Sequence, residues 1–152
     1  MKALQNILPY KPKITFYEGL GGMRELYQDT LSTLSPGDTI LSFTGLSDFY
    51  KLVPKEFSEW YIQERLKKKI RIKIISPISK TSGEWKNSAL KELREIKLID
   101  NPAFKFNADT EIYGNKIALL SYKENFMGVI IESKEINQMQ RMAFELMWNS
   151  LK

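Results

Sequence analysis

Short alternating and apolar segments between residues 104 and 133 predict a run of antiparallel strands. These segments are 104–106, 110–113, 116–121 and 127–131. Gly114 and Asn115 both tolerate positive φ, so we expect a tight hairpin between the second and third segments. Because residues 117–120 are all apolar, we expect the middle one of the last three strands to be buried on both faces of its sheet.

The N-terminal half alternates strand patterns with helix patterns. Strand-like segments occur at 13–17, 39–43 and 70–75, and a helix is predicted near 56–69. An earlier helix carries an apolar face formed by Leu20, Met23, Leu26, Tyr27, Leu31 and Leu34. Strand, helix, strand, helix, strand implies right-handed crossovers and a parallel sheet. The predicted fold class is therefore α/β, with a parallel N-terminal part, antiparallel hairpins from Phe104 to Ile131, and flanking helices.

A polar loop, a short helix and a short strand are predicted between these two parts. The loop at 81–86 holds an isolated Trp85, which is either a plug over the edge of the core or a stacking lid for a ligand. Ser88 is expected to cap a helix that runs to Arg94. Its inward side chains would be Ala89, Leu90 and Leu93, and a strand at 95–99 follows.

The C-terminal helix is predicted to start at Ser133, a good N-cap residue, and it carries two apolar rows. The first row is the expected core stripe, with Ile136, Met139, Ala143, Leu146 and Met147. Phe144 and Trp148 form the second row. Because one sheet needs only one such row, the helix either lies in a groove of its own domain or contributes to a subunit interface.

Length and composition indicate one ordinary globular domain. The chain has 152 residues, of which 43% are hydrophobic and 27% are charged. We interpret residues 1–12, which contain two prolines, as a linker or the end of a preceding helix, and 13–152 as the domain. No segment approaches the roughly 20 apolar residues of a membrane span. The lack of a signal-peptide pattern and of cysteine favours a cytoplasmic location. Since histidine is also missing from the sequence, we expect no metal and no cofactor.

The net charge of +5 is concentrated in one run of cations. The run consists of Arg65, Lys67, Lys68, Lys69, Arg71 and Lys73. It could contact phosphates. The simpler interpretation is that these cations oppose the negative end of a helix dipole and then line the solvent face of a strand. The run has no interleaved aromatic or glycine of the kind found in single-strand binders, which favours the simpler interpretation.

Polar residues follow the second and third predicted strands. They are Thr44, Gly45 and Ser47 after the strand at 39–43, and Ser76, Ser79 and Lys80 after the strand at 70–75. The carboxyl ends of parallel strands share one edge of a sheet, where ligands of open α/β folds bind. We therefore predict a ligand site at this edge, against the alternative that these are ordinary loop residues. Hydroxyls and an ammonium suit a small polar ligand, such as a sugar or a phosphorylated metabolite.

The string KFNADTEIYGNKIALLSY, followed by GVIIES, resembles the corresponding segment of phospholipase D-like domains. In the active enzymes of that family this segment carries His-x-Lys-x4-Asp, with the histidine as nucleophile. Aligning the glycine turn places Phe106, Ala108 and Tyr113 at those three positions, to within one residue, and none of them can do this chemistry. The resemblance implies that the chain is not an enzyme. It also implies that Phe106, Ala108 and Glu111 lie at the predicted ligand site.

Segments spread over almost the whole chain resemble the effector domain of TrmB-type transcriptional regulators. They are KPKITFYEGLGGMRELYQDTL, IRIKIISP, the pair EIYGNKIALLSY and GVIIES, and RMAFELMW. That family joins an N-terminal winged helix to a catalytically silent phospholipase D-like domain, and no winged helix is visible in this sequence. The resemblance implies a homodimer that senses a ligand and so alters the spacing of DNA-binding heads attached upstream of Met1. The alternative is a stand-alone phospholipase D-like module that binds nucleic acid or anionic lipid through the basic run.

Overall fold

A computed structural model describes residues 11–152, except for the side chains of residues 87–90. Within that range the chain forms a mixed sheet of seven strands in the order β1-β7-β6-β5-β2-β3-β4. The strands are β1 (Lys13–Glu18), β2 (Thr39–Phe43), β3 (Arg71–Pro77), β4 (Arg94–Ile99), β5 (Asp109–Tyr113), β6 (Lys116–Ser121) and β7 (Met127–Glu132). The part of the predicted linker at residues 1–10 lies outside the described residues.

The sheet has a parallel half and an antiparallel half, as the sequence predicts. Strands β2, β3 and β4 are parallel, whereas β5, β6 and β7 form an antiparallel meander beside β2. The prediction that the first strand belongs to the parallel part was wrong. β1 lies at the far edge and pairs antiparallel with β7, so it is not part of the parallel half. Its alternating pattern suits an edge strand that is solvated on one face, while buried parallel strands have continuous apolar runs.

Helices cover both faces of this sheet. They are α1 (Gly19–Thr33), α2 (Leu46–Leu52), α3 (Lys55–Lys67), α4 (Lys80–Ser88) and α5 (Lys134–Ser150), with a 3-10 helix at Ala89–Glu92. Helices α1, α2 and α3 pack on one face in the larger core cluster, and α5 packs on the other face. In β6, Leu119 is partly exposed on the α5 side, so the prediction that this strand is buried on both faces holds only in part. Leu20 of α1, predicted to lie in the core, is also exposed. No helix within residues 11–152 has the length and apolarity needed to cross a membrane.

Several local predictions between residues 44 and 106 were wrong. Helix α4 occupies the predicted polar loop, because Ser79 Oγ accepts a hydrogen bond of 3.0 Å from the amide of Ser82 and so caps the helix start. Ser88 therefore ends a helix and does not begin one, and the inward placement of Ala89 and Leu90 lies outside the described side chains. Ser47 belongs to α2 and not to a loop. Residues 104–106 are not in a strand, since β5 starts only at Asp109.

The C-terminal helix is rotated relative to its predicted orientation. Ser133 caps α5 as predicted, accepting a hydrogen bond from the amide of Ile136. However, the predicted core stripe of Ile136, Met139, Ala143, Leu146 and Met147 is exposed. The buried side chains are Asn137, Phe144 and Trp148. Asn137 fixes this rotation by donating a hydrogen bond of 2.8 Å to the carbonyl of Lys116, and the ring of Phe144 stacks on that of Trp148.

The cationic run does not form one surface patch. Arg65 is only 2% exposed, and its guanidinium donates hydrogen bonds of 2.9 Å to the carbonyl of Ile70 and 2.7 Å to that of Glu92. Lys73 is half-buried, with its ammonium 5.3 Å from the centre of the Trp148 ring. Exposed cations remain at Lys67, Lys68, Lys69 and Arg71. Periodicity did not reveal that Arg65 is buried, because its partners are backbone carbonyls of later segments.

We predict that Arg65→Ala lowers the free energy of unfolding by about 3 kcal/mol, since it leaves buried carbonyls without their charged donor. Lys67→Ala is the matched control. It removes an exposed cation of the same helix that bridges to Glu64 at 3.1 Å, and it should cost no more than about 0.5 kcal/mol. Urea denaturation at pH 7 measures both values. Equal costs for the two variants would contradict the structural role given to Arg65.

Candidate functional site

A surface pocket of about 410 Å³ lies at the carboxyl edge of β2 and β3. We call it the edge pocket. Four of the residues predicted from the strand ends line it, namely Gly45, Ser47, Ser76 and Ser79. The pocket is therefore where the topology of parallel strands places a ligand site.

Hydrogen bonds from backbone amides to side-chain oxygens hold the inner wall of the edge pocket in place. The amide of Gly45 donates to Asp109 Oδ1 at 3.2 Å, and the amide of Leu46 donates to Ser76 Oγ at 3.3 Å. The turn after β2 is thus tied to both β5 and β3. A Cβ at position 45 would lie 3.2 Å from the carbonyl oxygen of Phe106, so only glycine fits this close approach without a shift of the neighbouring backbone.

The loops on the opposite side add charge to the edge pocket. Lys123 donates a hydrogen bond of 2.7 Å to Asn107 Oδ1, and its ammonium lies 3.6 Å from Asp48 Oδ2. Lys105 also lines the pocket. Two ammoniums and one carboxylate therefore meet serine hydroxyls here. This arrangement favours a ligand with hydroxyls or a modest negative charge.

The structure separates Thr44, Glu111 and Lys80 from the other predicted site residues. Thr44 and Glu111 are buried and line an inner cavity of about 60 Å³ under α2 and α3. Lys80 is exposed and lines neither space. Trp85 covers the inner cavity as a plug, with its ring 4.2 Å from that of Tyr50 and 3.7 Å from the guanidinium of Arg94.

The three positions aligned with the family's catalytic motif do not meet in one place. Phe106 lines the edge pocket and packs against the ring of Phe43. Ala108 is exposed and lines neither space. Tyr113 lies at the opposite end of β5, where its hydroxyl donates a hydrogen bond of 2.8 Å to Asp29 Oδ2. The expected convergence of this segment on the ligand site therefore holds only for Phe106.

Sequence reasoning missed Asp109, which lies directly beneath the edge pocket. Asp109 is 1% exposed, and it accepts hydrogen bonds from the amide of Gly45 and from the hydroxyl of Tyr122, the latter at 3.0 Å. The signal was present in the alternation of Asp109 and Glu111, because residues two apart in a strand face the same side. That side is the one covered by α1.

Burial controls the ionisation of both carboxyls. It raises the pKa of Asp109 to about 7, a shift that the hydrogen bonds from Gly45 and Tyr122 oppose and the nearby Asp48 increases. Burial and the charge of Asp109 raise the pKa of Glu111 well above its ordinary value. Glu111 Oε1 accepts a hydrogen bond of 3.0 Å from Ser42, while Oε2 has no partner among the described residues. Both groups thus stay largely neutral in mildly acidic solution.

This site is suited to binding. Nucleophilic catalysis by serine needs an adjacent base. The described contacts of the Ser76 hydroxyl are with the amide of Leu46 and the carbonyl of Pro77, and those of the Ser79 hydroxyl are with Ser82. None of these groups is a base. Within residues 11–152, no three His, Cys, Asp or Glu side chains come together in a way that could hold a metal ion.

Solved structures with a similar fold include a phospholipase D family member and the protein NucT. Nuc from Salmonella typhimurium, a phospholipase D family member, matches with a TM-score of 0.64 and 12% identity over 93% of this chain and 97% of Nuc. NucT from Helicobacter pylori matches with a TM-score of 0.62 and 12% identity over 93% of this chain and 98% of NucT. The chain therefore has the phospholipase D-like fold that its sequence predicts.

A third similar structure is TrmBL2, an archaeal chromatin protein described as showing a novel mode of DNA binding. Its TM-score is 0.55 and its identity 13%; the match covers 99% of this chain but only 58% of TrmBL2. No protein-family model and no curated protein sequence matches the chain. At these identities the likeness concerns the fold.

The buried carboxyls predict that the protein loses stability as the pH rises. Because Asp109 has a higher pKa when folded than its ordinary value of 3.8, the folded state binds more protons between about pH 4 and pH 7. The free energy of unfolding should therefore fall by on the order of 2 kcal/mol from pH 5 to pH 7, then level off for this group. Chemical denaturation at a series of pH values measures the slope.

Asp109→Asn should reduce this slope, and the exposed Asp100→Asn, which makes the same chemical change, should not. The part of the slope that remains in Asp109→Asn should come from Glu111, whose pKa is raised in the same direction. Identical slopes in the two variants would refute the assignment to Asp109.

Proposed function

We propose that this chain is a non-catalytic, ligand-sensing and dimerising domain of a TrmB-type transcriptional regulator, with the edge pocket as its ligand site. The observation that carries the proposal is the convergence of Gly45, Ser47, Ser76 and Ser79 on one pocket beside Lys105 and Lys123. The likeness in fold to TrmBL2, of which 42% lies outside the match (100% less the 58% covered), supports the place of such a domain in a longer DNA-binding protein.

The chemistry of the edge pocket favours a phosphorylated or polyhydroxylated small molecule. Ser47 and Ser79 supply hydroxyls, whereas Ser76 is buried and shapes the wall. Lys123 supplies a cation that Asn107 and Asp48 already orient. The aromatic ring of Phe106 adds an apolar wall. Ligand binding would favour one arrangement of two associated domains, and through it the spacing of attached DNA-binding heads.

The absence of catalysis in this proposal rests on residue chemistry. Phe106, Ala108 and Tyr113 occupy the positions aligned with the catalytic motif, and the chain contains no histidine. Of the carboxyls at or beneath the edge pocket, Asp48 pairs with Lys123, and the buried Asp109 accepts structural hydrogen bonds from Gly45 and Tyr122. In this proposal the fold keeps the family's binding edge without its nucleophile.

A second candidate function is binding of nucleic acid or anionic lipid through the basic surface. The observation in its favour is the group of exposed cations at Lys67, Lys68, Lys69 and Arg71. Four such cations correspond to a salt dependence with a slope of about −4 in log–log terms. Arg65 is buried and Lys73 packs against Trp148, so the surface is smaller than the sequence indicates. We rank this function second for that reason.

Thermal-shift titration with glucose, glucose 6-phosphate and inorganic phosphate tests the ligand site. We expect stabilisation by one of these probes, and an affinity about tenfold weaker in Lys123→Ala, because a charge-assisted hydrogen bond contributes about 1.5 kcal/mol or more. Lys80→Ala is the matched control, since it removes an exposed lysine that does not line the edge pocket. A shift that is equally reduced in both variants, or in neither, would place the ligand elsewhere.

We further predict that the purified protein does not hydrolyse a chromogenic phosphodiester such as bis(p-nitrophenyl) phosphate. The physical reason is the lack of a nucleophile with an adjacent base in the aligned segment. The rate should equal that of the buffer, with and without added metal. Hydrolysis that disappears on substitution of Ser47 or Ser76 would overturn the non-catalytic assignment.

A further inference from the structure

The outer side of α5 exposes an apolar stripe that no other part of residues 11–152 covers. The stripe consists of Ile136, Met139, Met142, Ala143, Leu146 and Met147. Leu146 is 69% exposed, while Phe144 and Trp148 on the opposite side of the helix are buried. A helix of a monomeric domain normally turns polar residues to solvent, so this stripe calls for a partner.

The sheet adds a second exposed apolar surface on the same side. Phe16 is 80% exposed, and it lies in register with Val129 of β7, which in turn lies in register with Leu119 of β6. Ile117 lies two residues from Leu119 in β6, and Ile131 lies two residues from Val129 in β7. Both isoleucines pack with the α5 residues Phe144 and Trp148. Since residues two apart in a strand face the same side, the row of Phe16, Val129 and Leu119, which we call the Phe16 row, lies on the α5 side of the sheet.

The combined surface is large enough for a stable interface. Nine large side chains contribute, with exposed fractions between 39% and 80%: Ile14, Phe16, Leu119, Met127, Ile136, Met139, Met142, Leu146 and Met147. Together they expose roughly 900 Å² of mostly apolar surface, against about 300–600 Å² for the largest patch of a typical monomer. A standard protein interface buries about 800 Å² on each partner.

Three features favour a second copy of this chain as the occupant. Residues 136, 139, 143 and 146 have the spacing at which one helix packs along another. Glu135, four residues before Met139 on the same side of α5, lies at one end of the stripe, so the two copies of Glu135 lie at opposite ends of an antiparallel pair. A membrane surface would instead favour a cationic rim, whereas the charges of α5 balance, with Lys134 and Arg141 against Glu135 and Glu145.

Ala143 marks where two such helices would approach most closely. It is the smallest side chain of the stripe and lies near its centre. In a two-fold pair whose axis crosses the helices, the two helices run antiparallel, so their macrodipoles oppose each other favourably. A small residue at the crossing lets the flanking methionines and Leu146 interdigitate.

We propose that two copies associate through this face in a two-fold dimer, with the α5 helices antiparallel and crossing at Ala143. This inference rests on the dimerisation part of the proposed function and specifies its surface. It places Met139 of one copy and Leu146 of the other within about 1.5 Å of each other along the helix axes. The exposed Phe16 row then lies at the side of the helix pair, where the partner covers it.

The chain contains no cysteine, so single cysteine variants give a clean test by disulfide cross-linking. Ala143→Cys should form a disulfide-linked dimer on mild oxidation. A disulfide needs Cα atoms within about 7 Å, and the proposed crossing brings the two copies of residue 143 that close. Met139→Cys and Leu146→Cys should cross-link when mixed, but each only weakly alone, because identical positions would be about 10 Å apart along the helices. Gln138→Cys, exposed outside the stripe, is the control and should not cross-link.

Light scattering separates the outcomes. A dimer that Leu146→Glu converts to a folded monomer supports the proposal; the fold should persist because Leu146 is largely exposed. A dimer that survives Leu146→Glu, or that cross-links each cysteine mainly with itself, overturns this surface or its antiparallel geometry but leaves dimerisation intact. A wild-type monomer overturns both, and sedimentation of that monomer with vesicles of phosphatidylcholine and phosphatidylglycerol would assign the face to a membrane.

Discussion

The antiparallel pairing of β5 with β2 is the contact that joins the two halves of the molecule. On one side of it lie the parallel strands, and on the other lies the meander. The pairing sets Ser42 opposite Glu111 and brings Asp109 within hydrogen-bond distance of Gly45. Both the edge pocket and the inner cavity exist because these two strands meet in this register.

The same pairing explains why two carboxyls lie inside a small domain. Asp109 and Glu111 point into the α1 side of the sheet, where desolvation makes their charged forms costly. The carboxyl of Asp109 accepts hydrogen bonds from Gly45, in the turn after β2, and from Tyr122, which follows β6, so one side chain connects these two segments. An apolar residue at position 109 could not accept these hydrogen bonds. The position of the turn at the pocket therefore depends on a group that is energetically unfavourable when ionised.

Much of the fold could be predicted from the sequence, because period-two segments and turn residues report local structure directly. The hairpin at Gly114 and the cap at Ser133 are examples. Predictions failed where distant contacts decide the outcome. The rotation of α5 depends on a hydrogen bond from Asn137 to Lys116, and the burial of Arg65 depends on carbonyls of Ile70 and Glu92. The strand ends predicted the edge pocket in part, but no local pattern showed that Thr44 and Glu111 lie in a separate cavity.

The methionines on α5 give the exposed face a property that leucines would not give it. Met139, Met142 and Met147 are unbranched and polarizable, so they can adapt their shape to a partner at little cost, while Ala143 sets the crossing point. The same thioethers are open to oxidation, and a sulfoxide on this face would make it polar. Association through α5 would then respond to the oxidative state of the surroundings as well as to any ligand.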